Sequence, residues 1–351
     1  MRRGTIRLVA VVGAVLGAGA ACTSASSHAP ASRPAWPRVS VLGHPSLSPS
    51  PTTARSTATS RPAPPRSTPP RSTPPRSTPP PRSTPPPPSG PSLPRGGRHI
   101  LPAYRVVAFY GAPGGGALGV LGRGTPDQAA AAIERQAAGY ARFGRPVQPA
   151  MELIATVAQG GPGRDGLYSK PIPDSAIAAY LAAAHRHRLL LILDFQPGRG
   201  EFLPQVQRVS RFLLDPSVSV ALDPEWKVGH HQVPARVIGS TSAASINAVG
   251  RYLSALVARH QLPDKLLVVH QFTLPMLPDR SHIAHPAGLS VVLHADGLAT
   301  PAGKIRVYRD LAFPCPPFHA GFKLFYRADT GLMKPAQVMA LRPQPEVITY
   351  Q

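Results

Sequence analysis

The sequence predicts an α/β fold, a single (β/α)8 barrel of the TIM type over residues 99–351. Three observations predict it. Eight short apolar runs follow one another between Tyr104 and Gln351, most with a polar or carboxylate residue near the end. Helical or loop segments separate them, and strand–helix alternation produces a parallel sheet. The stretch is about 250 residues long, a typical length for one such barrel, and barrels of this kind carry their chemistry at the carboxyl ends of the strands.

The first 98 residues read differently. They contain no Asp, Glu or Lys, and their 13 arginines supply more than half of the net charge of +22. Arg2, Arg3 and Arg7 precede an apolar run from Leu8 to Ala21. At about 14 residues, it is too short to span a bilayer and has the form of an export signal over residues 1–21. Ala18-Gly19-Ala20 offers an ordinary cleavage site. Gly19-Ala20-Ala21-Cys22 resembles a bacterial lipobox with Gly19 in the usual leucine position, which makes Cys22 a candidate for lipidation. The expectation is an exported protein, lipid-anchored on the outer face of the cell membrane or else secreted.

Residues 22–98 form a linker rich in Pro, Ser, Thr and Arg. Arg-Ser-Thr-Pro-Pro begins at Arg66, Arg71, Arg76 and Arg82. So few apolar residues cannot bury a core, and the prolines favour an extended, disordered tether. The Arg-rich charge therefore belongs mainly to the tail. Basic clusters interleaved with aromatics, which mark a nucleic-acid surface, are missing, so no nucleic-acid partner is expected. With Cys22 lipidated, Cys315 stands alone between prolines as an inert thiol.

The strands are expected at residues 105–111, 150–157, 189–195, 218–223, 265–271, 289–295, 322–326 and 346–350. Gly114-Gly115-Gly116 follow the first strand, but the next helix starts only near Thr125, too far on for a dinucleotide-binding turn. Thr125-Pro126-Asp127-Gln128 reads as a capping box with proline at the first helical position. That helix should run to about Phe143 and close at Gly144. Asp174 should cap a helix over 175–188. Ser242 should cap one over 243–260, with Ile246, Val249 and Leu253 on its buried stripe. Helical signal weakens after the sixth strand. No helix follows the eighth, so either the barrel lacks it or the segment near His99 covers the gap.

Side-chain alternation then assigns faces. In Val218-Ser219-Val220-Ala221-Leu222-Asp223-Pro224-Glu225-Trp226, the apolar face holds Val218, Val220 and Leu222. Asp223 and Glu225 fall on the other face, toward the mouth of the barrel. Two carboxyls so close disturb each other's ionisation, which lets one stay protonated as an acid while the other stays charged. Glycosidic bond cleavage needs that division. Other strand ends add Asp194 and Gln196, His270 or Gln271, His294 and Asp296, Tyr110, Tyr326 and Tyr350. Trp226 and Tyr326 are candidates for stacking on sugar rings. Glu152 reads as a buried polar residue near the base. His294, Asp296 and His270 lack metal-ligand spacing, so neither a metal nor a cofactor is expected. His185 and His187 point apart on a helix, and no Gly-x-Ser-x-Gly elbow marks a serine hydrolase.

Asp-x-Glu followed by an aromatic, at the end of the fourth barrel strand, resembles the glycoside hydrolases of the chitinase and bacterial lysozyme types. The resemblance implies that Glu225 is the proton donor and Asp223 its assistant, with Asp194, Gln196, Trp226, His270, Gln271, His294, Asp296, Tyr326 and Tyr110 binding substrate. The chain departs from those motifs at Val218, Ala221 and Pro224, and at Phe109-Tyr110-Gly111 in the first strand. Its overall plan, from signal through a proline-rich stalk to a barrel, resembles actinobacterial secreted lipoproteins, a likeness that brings no activity. The expected function is a carbohydrate-active, glycoside hydrolase-like barrel on cell-wall or environmental glycan. The alternative is a non-catalytic, glycan- or wall-binding surface lipoprotein. In either case the partners are a glycan or wall polymer and the membrane, and the chain is a monomer.

Overall fold

The computed structural model describes residues 90–312 and 318–351. The signal, Cys22, most of the linker and Cys315 lie outside the described residues. The strands are β1 (Arg105–Gly111), β2 (Val147–Ala158), β3 (Ser169–Pro171), β4 (Leu190–Phe195), β5 (Val218–Leu222), β6 (Lys265–Gln271), β7 (Leu289–Ala295), β8 (His319–Leu324) and β9 (Val347–Tyr350). Eight of them pair in parallel in the order β1-β9-β8-β7-β6-β5-β4-β2, and β2 returns to β1 to close the cylinder. The short β3 adds antiparallel to the far end of β2. The fold is therefore a closed eight-stranded parallel barrel.

The helices are α1 (Pro126–Ala138), α2 (Asp174–His187), α3 (Phe202–Arg208), α4 (Ser210–Leu213), α5 (Ala243–Arg259), α6 (Pro301–Ala312) and α7 (Pro335–Met339). The capping box is present: Gln128 N donates to Thr125 Oγ1 at 3.2 Å, and Thr125 N donates to Gln128 Oε1 at 2.9 Å. Ser242 accepts from Ser245 N, as a helix start should. Asp174 caps nothing. Pro173 takes the cap position, and Asp174 instead pairs with Arg208 and Arg211. α1 ends at Ala138, five residues short of expectation, and tight turns carry the chain through Phe143. α6 forms where the helical signal was weak.

Two cores sandwich the sheet. The outer one lies between strands and helices and takes the alternate residues Val218, Val220 and Leu222 of β5. The inner one fills the base of the barrel with Val106, Ala108, Ala150, Leu190, Ile192, Ala221, Leu266, Val268, Val292 and Val347. Leu93, Ile100 and Leu101 join this inner cluster, so the segment before β1 plugs the base and does not stand in for an eighth helix. The outer face of β9 is covered by rings. Tyr140 Oη lies 2.7 Å from Tyr350 Oη, while Tyr326 stacks on Tyr350 at 5.3 Å between centroids.

One cation is buried at the start of β6. Lys265 Nζ donates to the carbonyls of Asp215 and Val218 at 2.9 and 2.7 Å. Desolvation lowers its pKa from 10.5 to about 8. Between pH 8 and 10.5 the unfolded chain therefore holds the proton that the folded chain has lost, so this group adds stability as pH rises through that window. In denaturant titrations across that range, Lys265→Met should remove the increment. An unchanged pH slope would refute the assignment.

Candidate active site

Above the apolar base, the inner faces of the strands turn polar. Tyr110 (β1), Glu152 (β2), Asp194 (β4), His270 (β6), His294 (β7), Lys323 (β8) and Thr349 (β9) are each at most 3% exposed. Asp223 follows β5 and is equally buried. Pro224 cannot donate a ladder hydrogen bond, so β5 stops at Leu222 and a 3-10 turn takes over at Pro224–Trp226. Glu225 is thus held by a turn and not by a strand. The turn still brings oxygens of Asp223, Glu225 and Asp296 within 4.8 Å of one another.

Five side chains from four strands and one loop close a ring of hydrogen bonds. His270 Nε2 meets Glu152 Oε1 at 2.7 Å, and Glu152 Oε2 accepts from Thr349 Oγ1 at 2.9 Å. Thr349 Oγ1 lies 3.1 Å from His294 Nε2, whose Nδ1 is 2.7 Å from Asp296 Oδ1. Asp296 Oδ2 returns to His270 Nδ1 at 3.0 Å and also takes Lys323 Nζ at 3.1 Å. Burial alone would discharge His270, but Asp296 and Glu152 on its two nitrogens outweigh it and hold the imidazole charged well above its ordinary pKa. Burial lowers His294. Desolvation would likewise raise Asp296, yet Lys323 and His270 keep it well below the usual carboxylate range.

The other side of the mouth is organised by Tyr110. Its ring carries Lys323 Nζ 3.6 Å from the centroid. Its Oη lies 3.1 Å from Asp194 Oδ2, 2.9 Å from Asp223 Oδ2 and 3.1 Å from Gln196 Nε2. A phenol has one proton to donate, so it cannot serve two ionised carboxylates. The conflict disappears if Asp194 is protonated: Asp194 then donates to Tyr110, and Tyr110 donates to Asp223. Burial and the neighbouring Asp223 raise Asp194 well above its ordinary pKa, which agrees. Burial, then Asp223 and Asp296, push Glu225 up to about 8. Asp194 Oδ1, Asp223 Oδ1 and Glu225 Oε2 are shut off from solvent and have no hydrogen-bond partner.

The structure gathers Asp194, Gln196, Asp223, Glu225, His270, His294, Asp296 and Tyr110 around one lumen. It sends others elsewhere. Gln271 faces outward, donating to the carbonyls of Thr273 and Leu274. Tyr326 lies in the outer layer, where its hydroxyl donates to Gln136 Oε1 at 3.0 Å. Tyr350 packs there too. Trp226 is partly exposed on the turn after β5. Glu152 is no base residue: β2 begins at Val147, so Glu152 sits mid-strand opposite Tyr110. Sequence reasoning missed Lys323 and Thr349, although Phe322–Leu324 and Ile348–Tyr350 mark the outward parity that leaves both facing in. Leu118, from the loop after β1, packs beside Tyr110 and Ile154 at the rim.

Among the described residues, three groups bring donor atoms within metal-binding range: His270, His294 and Asp296; Glu152, Asp194 and His270; and Asp223, Glu225 and Asp296. The first uses its atoms on internal hydrogen bonds. In the second, Glu152 and His270 already pair. In the third, Asp296 is taken up by two imidazoles and Lys323. In each group at least one member's donor atoms are therefore already committed to other side chains.

No family model matches the chain, and no curated protein matches it in sequence. Among solved structures it is similar to a GH18 chitinase from Pseudoalteromonas aurantia, with 11% identity and a TM-score of 0.35 over 70% of this chain and 93% of that one.

His294 has its place because Gly321 on β8 lacks a side chain. A Cβ there would stand 2.3 Å from His294 Cδ2. Gly321→Ala should therefore displace the imidazole and cost about 1–3 kcal/mol of stability by overpacking. A melting temperature equal to that of the parent would count against the ring.

Proposed function

We propose that this barrel is a glycoside hydrolase acting on a cell-wall or environmental glycan. Glu225 is its general acid/base and Asp223 its partner. One observation carries the reading: a carboxyl pushed up to about 8 lies within 4.8 Å of a second carboxyl in a water-poor lumen. At neutral pH the first holds a proton to give to a leaving oxygen, and the second is placed to meet positive charge developing on the sugar. Asp194, Gln196, Tyr110, His270, His294 and Asp296 hold the pair in register and face the substrate, with Trp226 on the turn beside them. Gln271 and Tyr326 take no part, since neither faces the lumen.

Glu225→Gln should lower kcat on a cleaved glycan by about 10³-fold or more while leaving glycan affinity intact. In the parent, kcat/KM should fall as pH rises through 8, where the acid loses its proton. Turnover that survives the substitution would refute the role. Glycan binding by both proteins with no turnover in either would establish a binding barrel instead.

In this reading the chain is exported and anchored through Cys22, with residues 22–98 as spacer. The support is the basic start, the apolar run and the small residues before Cys22. Cys22→Ser should move the protein from the detergent phase to the aqueous phase on phase partitioning. An unmoved protein would refute the lipid anchor.

A further inference from the structure

A second charged cluster lies on the outside of the barrel, where the chain enters it. A cleft of about 600 Å³ is lined by Arg95 from the segment before β1, by Glu134 of α1, and by Arg186, His187 and Arg188 at the end of α2. Two of its guanidiniums clamp the entering chain. Arg188 Nε donates to the Pro94 carbonyl at 2.8 Å, and Arg95 Nε donates to the Arg188 carbonyl at 3.4 Å. Burial lowers the Arg95 pKa, and the charge of Arg188 lowers it further against the pull of Glu134. The acids at the cleft are already engaged. Asp127, beside it, takes Arg186 through both oxygens at 2.9 and 2.8 Å. Glu134 takes Arg95 at 3.5 Å and His187 at 3.1 Å. Arg188 has no carboxylate, and among the described residues its two terminal nitrogens meet no acceptor. Its backbone is left-handed, with φ 54° and ψ 48° at the end of α2, a position that favours glycine. Basic residues there complement the helix dipole, and the Nε bond fastens Pro94. Neither reason uses the two terminal nitrogens.

Arg95, Arg186 and Arg188 stand against Asp127 and Glu134, so the cleft holds an excess of positive charge with His187 neutral. What completes it is an anion with acceptors on more than one side, because Arg95 and Arg188 reach it from different segments. A planar carboxylate is filled by one guanidinium fork, whereas a tetrahedral phosphate accepts from two and carries up to two charges. We propose that this cleft binds a phosphate group. A lipid headgroup and a soluble phosphate ester offer the same chemistry. Arg95 Nη1 also donates to the carbonyl of Val147, at the start of β2. The cleft therefore opens beside the amino ends of the strands, at the opposite end from the carboxyls of the lumen. It stands independently of the glycosidase reading.

The test is calorimetric titration of the full chain with inorganic phosphate, at constant ionic strength and mildly alkaline pH. Arg188→Gln should weaken binding about tenfold, the loss of one charge-assisted contact. Glu134→Gln takes a negative charge off the wall and should strengthen binding about threefold. If Arg188→Gln does not fold, Glu134→Gln decides alone. The linker arginines are the same in all three proteins. Binding that responds to neither substitution would therefore belong to the linker and overturn the inference, as would the absence of binding in the parent. Glycerol 3-phosphate in solution, and phosphatidylcholine vesicles with and without phosphatidic acid, then name the source. Retention on the phosphatidic acid vesicles that Arg188→Gln weakens assigns a lipid headgroup. Binding of glycerol 3-phosphate without such retention assigns a soluble ester. Inorganic phosphate bound while both esters are refused would mean an adventitious ion only, and would also overturn the inference.

Discussion

Five carboxyls share a lumen from which water is largely excluded, and the rest of the site follows from how their charge is managed. An isolated buried carboxylate is too costly to keep, so each must be paired, protonated or left to a ligand. Glu152 and Asp296 are paired, through His270, His294, Thr349 and Lys323. Burial and the neighbouring Asp223 push Asp194 and Glu225 toward the protonated form. That division splits one ring of similar side chains into two chemically different halves.

The paired half acts as a scaffold. Its ring of hydrogen bonds ties β2, β6, β7 and β9 together across the barrel, and Lys323 reaches from β8 to join Asp296 to the face of Tyr110. In this network every polar atom of Glu152 and His270 has a partner, while a neutral His294 has one N–H to share between Asp296 and Thr349. Beneath it the lumen is filled by Val, Leu, Ile and Ala. The titratable side chains therefore sit in the layer nearest the mouth, while Gln148, Ser219 and Ser290 share the inner face with the apolar residues of the base. A cleft of about 600 Å³ on the outside, lined by Arg95, Glu134, Arg186, His187 and Arg188, lies near that base, away from these carboxyls.

Much of this was legible in the sequence because strands in a closed barrel obey a strict alternation. Val218, Val220 and Leu222 marked the outward face of β5 and so placed Asp223 inside. The same parity put Asp194 and His294 inward. It failed where a strand boundary was misjudged. With the seventh expected strand begun at Phe322 rather than His319, Tyr326 looked like a mouth residue and Lys323 was passed over, although Phe322 and Leu324 are the outward pair. Glu152 was misplaced for a related reason: Gln148-Pro149 does not look like strand, so β2 was started late. Pairing between distant side chains, such as Thr349 with Glu152, leaves no local signal.

The unpaired half is where the chemistry must lie, for a reason that does not depend on any motif. Open, desolvated acceptors each cost a folded protein about 1–3 kcal/mol. Asp194, Asp223 and Glu225 each keep one sealed oxygen without a partner, on side chains that a simple change to an apolar residue would remove. In the paired half, where stability alone would suffice as a purpose, each oxygen is spoken for. Pro224 sharpens the contrast, since it ends β5 and hands Glu225 to a turn that holds it over Asp223 with one oxygen unused. A barrel built only to be stable would have continued the strand and its alternation. This one breaks the strand at the place where the break brings a protonated carboxyl over a second carboxyl.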